Sequence, residues 1–416
     1  MSTPSNTLAS ITNPTSGVAD ALTTAAERAC AWIQQHVVLL IVLAVLAAAC
    51  LAVLARLRCA ARRRWYAGAR VVTVLPPAGL DPATAVAGAR RLWWDLPGLA
   101  PPRWKRLVGG VPHLAVEYHL AAGEDLAVRL WLPGPVPTAR IDAALRAAWP
   151  GTLVLDHAPT PSQKSSAQTA ESAPAGSTGL VVTGGTVRPE QPEHLPLRVP
   201  DPRDESGDPL RALEAVTGQL TEGESAVVQI LARPAVGRRL RRYRRTVDRM
   251  HSGRPGRRSA LASFTSVLVR ELMEIVTGST STAATHGTSE HTPRRLDPQQ
   301  TEELREIRAK KQQPQWEVAL RYYAATTPHG QQAADRVRGI ADSLFGTFAL
   351  LAGRNALARH RLPKPRVVIE ARRLRRGALL SAGELAALAH LPARTDALAS
   401  GQARSVPAPQ HTTRRL

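Results

Sequence analysis

The sequence predicts an α+β protein: one transmembrane helix near the N-terminus, then two ferredoxin-like (β-α-β-β-α-β) modules, the second interrupted by a basic helical insertion. Three observations carry this. Residues Val37 to Ala55 contain no charged and no strongly polar side chain. Residues 70–157 show strand and helix periodicities in the order β-α-β-β-α-β. A similar order returns over residues 194–392, opened in its middle by a long arginine-rich stretch.

The apolar run comes first. At a helical rise of about 1.5 Å per residue it spans roughly 28 Å, the thickness of one hydrocarbon core. A buried core helix seldom stays apolar all the way round for so long. A cleaved signal peptide would need a basic leader, and Met1 to Glu27 holds no Lys or Arg. We therefore expect a membrane helix over residues 37–56, with Val37, Leu40, Val45, Leu51 and Ala55 among its lipid-facing anchors. Only Arg28 precedes it, while Arg56, Arg58, Arg62, Arg63, Arg64 and Arg70 follow. That asymmetry predicts a plasma-membrane, single-pass protein with its N-terminus outside and its bulk in the cytoplasm. Trp32 and the pair Trp65–Tyr66 bracket the span at headgroup level. Residues 1–36, rich in Ser, Thr and Ala, are expected to be a disordered extracytoplasmic tail.

The first module is expected over residues 70–157. Val71 to Leu75 reads as a strand stopped by Pro76–Pro77. Asp81–Pro82 reads as an N-cap with proline in the first helical turn, opening a helix toward Asp95. His113 to Leu120 alternates, with Leu114, Val116, Tyr118 and Leu120 on one face. Gly123–Glu124–Asp125 turns the chain into a second strand carrying Leu126, Val128, Leu130 and Leu132. A helix over Thr138 to Ala148 and a strand over Thr152 to Leu155 close the unit. Residues 158–193 read as a disordered linker.

The second module, residues 194–392, is expected to hold a strand at Leu195 to Val199 and a helix at Asp208 to Leu220. Strands follow at Glu224 to Leu231 and Gln315 to Thr326. An amphipathic helix runs from Ala333 to Leu351, and a closing strand from Arg366 to Glu370. The insertion covers residues 235–313: a basic helix, an apolar helix near Leu261 to Val276, and a charged helix at Thr301 to Lys311. Residues 393–416 are expected to be a disordered tail.

Composition narrows the chemistry. Lys+Arg number 54 against 33 Asp+Glu, a net charge of +21, which implies acidic neighbours: anionic lipid, nucleic acid or an acidic protein. No Lys follows a Gly, so a P-loop is excluded. There is no HExxH, no GxSxG and no clustered Cys/His set. His286 and His291 lack ligand support. We expect no cofactor and no metal. Glu117 with His119 has the composition of a catalytic pair but reads equally as a polar sheet face. Trp131 beside Arg129 lies on the face that would be open for base stacking, or serves as a core residue. The densest signal is Gly237 to Arg258. There Arg238, Arg239, Arg241, Arg242, Arg244 and Arg245 form a solvated helix face, a contact to anionic lipid or a contact to nucleic acid.

Several stretches resemble a known family. They are Arg70–Pro77, Pro112–Tyr118, Arg129–Gly134, Ala148–Gly151, Val227–Pro234, Trp316–Val318, Gly353–Asn355 and Leu380–Pro392. Together they resemble the N-terminal, pre-motor region of actinobacterial conjugative-transfer, type IV secretion ATPases. In that family a segment like Leu380–Pro392 stands just before a RecA-like motor with Walker motifs, and no such motifs occur here. The resemblance therefore implies a non-enzymatic membrane component of a conjugative DNA-transfer apparatus that positions a separate ATPase chain. A membrane-tethered nucleic-acid-binding protein and a truncated relic of the full ATPase are the alternatives. Lipid, that ATPase, DNA and further copies of the chain are the expected partners. Ser381 and Glu384 form a capping-box pattern. With Leu385, Leu388 and His390 they are the residues expected either to dock the motor or to pack on the second module.

Overall fold

The computed structural model describes residues 14–157, 180–201, 207–252 and 298–393. Contacts divide the chain into two units, residues 1–63 with 107–109 and the remainder.

The first unit is essentially one helix, α1 (Pro14–Ala67), whose last residues belong to the second unit. Its stretch Gln34–Ala67 is long and apolar enough to cross a membrane. The helix begins at Pro14, so the expected disordered tail is already helical over residues 14–36; residues 1–13 lie outside the described residues.

The second unit is built on one nine-stranded antiparallel sheet. Its first half follows the expected order with one added helix, α3, whose residues 107–109 fall in the first unit: β1 (Arg70–Leu75), α2 (Pro82–Asp95), α3 (Arg103–Gly109), β2 (Leu114–Ala121), β3 (Ala127–Leu132), α4 (Thr138–Ala148) and β4 (Leu153–His157). Asp81 caps α2, its carboxylate accepting from the Thr84 amide at 2.9 Å. Helix α2 packs tightly on the end of α4. A Cβ at Gly88 would sit 2.2 Å from Trp149 Nε1, which donates to the Ala85 carbonyl at 3.0 Å.

The second half is β5 (Val181–Pro189), α5 (Pro209–Thr217), β6 (Glu224–Pro234), α6 (Gly237–Ser252), α7 (Pro298–Gln312), β7 (Gln315–Thr326), α8 (Gln331–Gly346), β8 (Leu357–Arg361), α9 (Pro365–Glu370), β9 (Ala378–Ser381) and α10 (Ala382–Leu388). Here the expectation needs correction at both ends. The opening strand is β5, inside the stretch read as linker, and residues 195–199 are irregular. The closing strand is β8, and Arg366 to Glu370 is helical, started by Pro365. The rest of the linker from residue 158 to 179, the apolar stretch Leu261 to Val276 and residues 394–416 lie outside the described residues.

Strand order is β4-β1-β3-β2-β6-β7-β5-β8, with β9 added to β7. Each half, taken from its outer edge, places its fourth strand first, then its first, third and second. The halves meet where β2 pairs with β6, Leu114 opposite Ala232 through Ala121 opposite Ser225. One sheet face carries α2, α4, α5, α8 and α10 over a continuous apolar core that includes Tyr118, Ile230, Trp316 and Tyr322. The opposite face carries a transverse polar row. Thr73, Arg129, Glu117, Gln229, Arg321, Thr186 and His360 stand side by side in register across the strands from β1 to β8. The segment from α9 to β9 lies over the middle of this face, with Leu374 packed among Ala115, Trp131, Leu231 and Ala319.

Candidate functional site

Among the expected anchors, the side chains of Val37 (43% exposed), Val45 (62%) and Leu51 (67%) are open along α1, and Ala55 is exposed as well. The Leu40 side chain lies outside the described residues. Exposed β-branched and leucine side chains on a helix of this length are what a lipid phase would cover.

The basic helix is α6. Its buried edge is Tyr243 and Val247, packed with Ala235, Ile307 and Leu379. The four-residue spacing of Tyr243 and Val247 turns the other positions outward. Arg238, Arg241, Arg242, Arg244 and Arg245 are exposed. Arg239 is different and leaves the candidate set. Its guanidinium binds the Glu317 carboxylate at 2.7 Å and also pairs with Glu193. Glu317 further accepts from Arg233 at 2.7 Å and from the Gly377 amide at 3.2 Å. One carboxylate thus ties the start of α6 to the segment that leads into β9. Asp248, the acidic residue of the helix, pairs with Lys311 of α7. Arg254, Arg257 and Arg258 lie outside the described residues.

The segment expected to dock a motor is an internal keystone instead. Ser381 (2% exposed), Glu384 (2%), Leu385 (0%), Leu388 (2%) and His390 (2%) are all buried, which removes them as an exposed docking face. The capping box is present: Ser381 Oγ accepts from the Glu384 amide, and Glu384 accepts from the Ser381 amide at 2.7 Å. The same carboxylate accepts from the Leu197 amide at 2.7 Å and pairs with Lys310 Nζ at 2.9 Å. Lys310 also donates to the Leu195 carbonyl. Buried charges are tolerated only when paired and hydrogen-bonded, as these are. From the first half, Trp93 Nε1 donates to the Ala389 carbonyl at 2.8 Å and Tyr118 Oη to the His390 carbonyl at 2.7 Å. From the second half, His390 contacts Asp208 at 3.1 Å, and Trp316 Nε1 donates to the Trp93 carbonyl at 3.0 Å. Both halves therefore close on α10 and the residues after it.

Glu117 and His119 form no free catalytic pair. Glu117 is 1% exposed and binds Arg372 through both oxygens, at 2.7 and 2.9 Å. It also accepts from Gln229 Nε2 at 2.9 Å and from His119 at 3.4 Å. Burial alone would push its pKa up. The hydrogen bonds from His119 and Arg372, with the Arg372 charge, more than reverse that and hold it at about 2. A carboxylate so saturated is a poor general base. Arg372 sits in the left-handed region (φ 48°), which costs a non-glycine residue roughly 1 kcal/mol or more; the bidentate ion pair fixes it there. Its carbonyl accepts from His113 at 2.6 Å and from Tyr66 Oη at 3.3 Å. His113 must present a protonated Nε2 to that carbonyl. Burial depresses its pKa to about 4, with Arg233 and Arg321 lowering it and the Arg372 carbonyl raising it.

Trp131 is no stacking platform. It is 3% exposed, with His113 at 5.1 Å and Tyr66 at 5.5 Å between ring centroids. Among the described residues no group of three or more His, Cys, Asp or Glu side chains is placed to hold a metal. The segment from Lys364 to Gly377, which carries Arg372, was missed because Val367-Val368-Ile369 reads as a strand. The clue is Pro365, a helix-opening signal in a run too short to arbitrate by length. Comparison of the chain with protein-family models and with curated proteins finds no match.

Proposed function

We propose that the protein is a membrane-anchored, non-enzymatic component of a conjugative DNA-transfer apparatus of the type IV secretion kind, one that positions a cytoplasmic ATPase motor. The observation that carries this reading is where the family-like stretches fall. Arg70–Pro77, Pro112–Tyr118 and Val227–Pro234 hold strands β1, β2 and β6. Gly353–Asn355 holds a bend in which Asn355 is buried and accepts from the Gln191 amide at 2.9 Å. Leu380–Pro392 holds the keystone. The resemblance thus falls on the joints of one framework, and that favours a shared scaffold. We read each half as a ferredoxin-like module, supported by the repeated strand order and the two helices on one face. We read α1 as a single span with the N-terminus outside, supported by the arginine asymmetry. The motor then meets a surface other than the keystone.

Affinity recovery of the full chain from detergent-solubilised membranes of its host tests this. A chain with a P-loop ATPase sequence is expected to come with it. Repeated recovery without any such ATPase sinks the proposal. The tethered nucleic-acid-binding alternative draws on the exposed α6 arginines. It requires binding to an oligonucleotide whose salt slope falls by about 0.9 for each phosphate contact removed.

A further inference from the structure

The strand register shows which end of the sheet the chain reaches first. The chain joins the second unit at Arg64 and enters β1 at Arg70. Trp65 is fixed at that end, its carbonyl accepting from the Gly134 amide at 2.9 Å just past β3. Following the pairing across the sheet, Arg70 is level with Leu132, Leu114 with Ala232, and Pro234 with Trp316. The end where the chain arrives is therefore the end from which α6 departs and at which β9 pairs. Basic side chains gather there. Arg238, Arg241, Arg242 and Arg245 of α6 are exposed, as are Arg375 and Arg376 just before β9. Glu317 joins the two groups through Arg239 and Gly377. Trp104, 68% exposed with Lys105 Nζ over its ring at 5.1 Å, stands on the segment leading into β2 at this same end, and Gly110 of that segment lies against Trp65. No ion pair is formed by these six arginines among the described residues.

We propose that this arginine surface, spanning α6 and the strap before β9, lies on an anionic lipid headgroup surface as a second membrane contact. The inference rests on the membrane-anchored reading of α1. Arg64 to Arg70 is the covalent link to the span, so this end of the sheet is the one the chain ties to the bilayer. Arginine fits phosphate in bidentate fashion, and an exposed tryptophan suits the headgroup layer. A nucleic acid would have no comparable reason to be met at the tethered end.

The test uses the full chain in lipid nanodiscs, with Cys30, Cys50 and Cys59 replaced by Ala and a fluorophore at Arg245→Cys. Quenching by a nitroxide on the lipid headgroup reports proximity. In phosphatidylcholine discs containing roughly one-third phosphatidylglycerol, strong quenching is expected, and it should fall at least about threefold in R238Q/R241Q/R242Q/R375Q/R376Q or in phosphatidylcholine alone. Salt at about 0.5 M should relieve it as well. Equal quenching in charged and neutral discs overturns the proposal, as does none in charged discs. So does a fluorophore that responds to a single-stranded oligonucleotide but not to phosphatidylglycerol. An alkaline wash separates the two readings. Release of the chain from the lipid takes down the anchor and the contact together. Retention without quenching takes down the contact alone.

Discussion

The two faces of the sheet close the same seam by opposite means. On the helical face, the β2–β6 joint is covered by α10 and its neighbours, an apolar plug in which Leu385, Ala386 and Leu388 are buried with Trp93 and Trp316. On the other face, the joint is covered by the strap from Lys364 to Gly377, held mainly by Glu117, Gln229, His113 and Arg321. The apolar plug draws on area removed from water, which tolerates small shifts. The polar strap draws on directional bonds in a dry site, where losing one partner strands another. Apolar closure should be most sensitive to a charge placed in it. Polar closure should be most sensitive to the loss of a partner and to pH.

The largest effect is expected from placing a charge in the plug. Leu385→Asp buries a carboxylate with no partner and should cost on the order of 5 kcal/mol or more. We expect loss of the folded second unit, read by limited proteolysis. A variant as protease-resistant as the parent would refute the keystone assignment.

Next comes Glu117→Ala on the polar face. It leaves the part-buried Arg372 without its counter-charge and should destabilise by about 3 kcal/mol in denaturant unfolding. The double variant Glu117→Leu, Arg372→Met should regain most of that, since apolar residues of similar volume often replace a buried pair at little cost. A double variant no better than the single one would show that the pair is not a self-contained unit.

The pH response sharpens the contrast further. Unfolded His113 titrates near 6.5, while the folded residue takes up a proton only at about 4. Its contribution is fully present above the unfolded value and is lost as pH falls through that window, roughly 3 kcal/mol in all. Glu117, held at about 2 against an ordinary value of 4.5, adds a further loss of the same sign as pH falls below 4.5. His113→Gln, which keeps a donor for the Arg372 carbonyl, should flatten the slope of stability between about pH 6.5 and 4. An unchanged slope would assign the acid response elsewhere.

Much of the first half was legible because its strands alternate cleanly between a covered apolar face and a more polar one. His113 to Leu120 is the example, and turn residues mark its limits. Strand β5 was not legible. Gly184 and Gly185 occupy its centre, where a Cβ at Gly184 would meet the Tyr322 carbonyl at 2.3 Å. Close backbone approach selects glycine and erases the hydrophobic signature of a strand. Strand β8 reads Leu-Ala-Arg-His-Arg, an edge strand with charged side chains, which carries no periodicity to find. The capping box at Ser381 and Glu384 was readable because capping is local. Whether its apolar stripe faces this chain or another is a tertiary fact, and spacing is silent on it. The arginines of α6 looked equivalent in sequence. Only the fold separates Arg239, engaged with Glu317 and Glu193, from its exposed neighbours.

The position of the keystone also orders events during synthesis. Strands β1 to β4 lie within residues 70–157 and can pair as soon as they leave the ribosome. The inner edge strand β2 must then wait for β6, and β6 waits in turn for β7, whose first residue follows the end of α6 by more than sixty positions. Closing that loop costs entropy before any new contact repays it. The apolar groove stays open longer still, until Leu391 has been made. The nascent chain therefore presents an unpaired strand edge and an apolar cleft for most of its translation. Keeping nascent copies apart is a physical means of preventing such edges from pairing with one another.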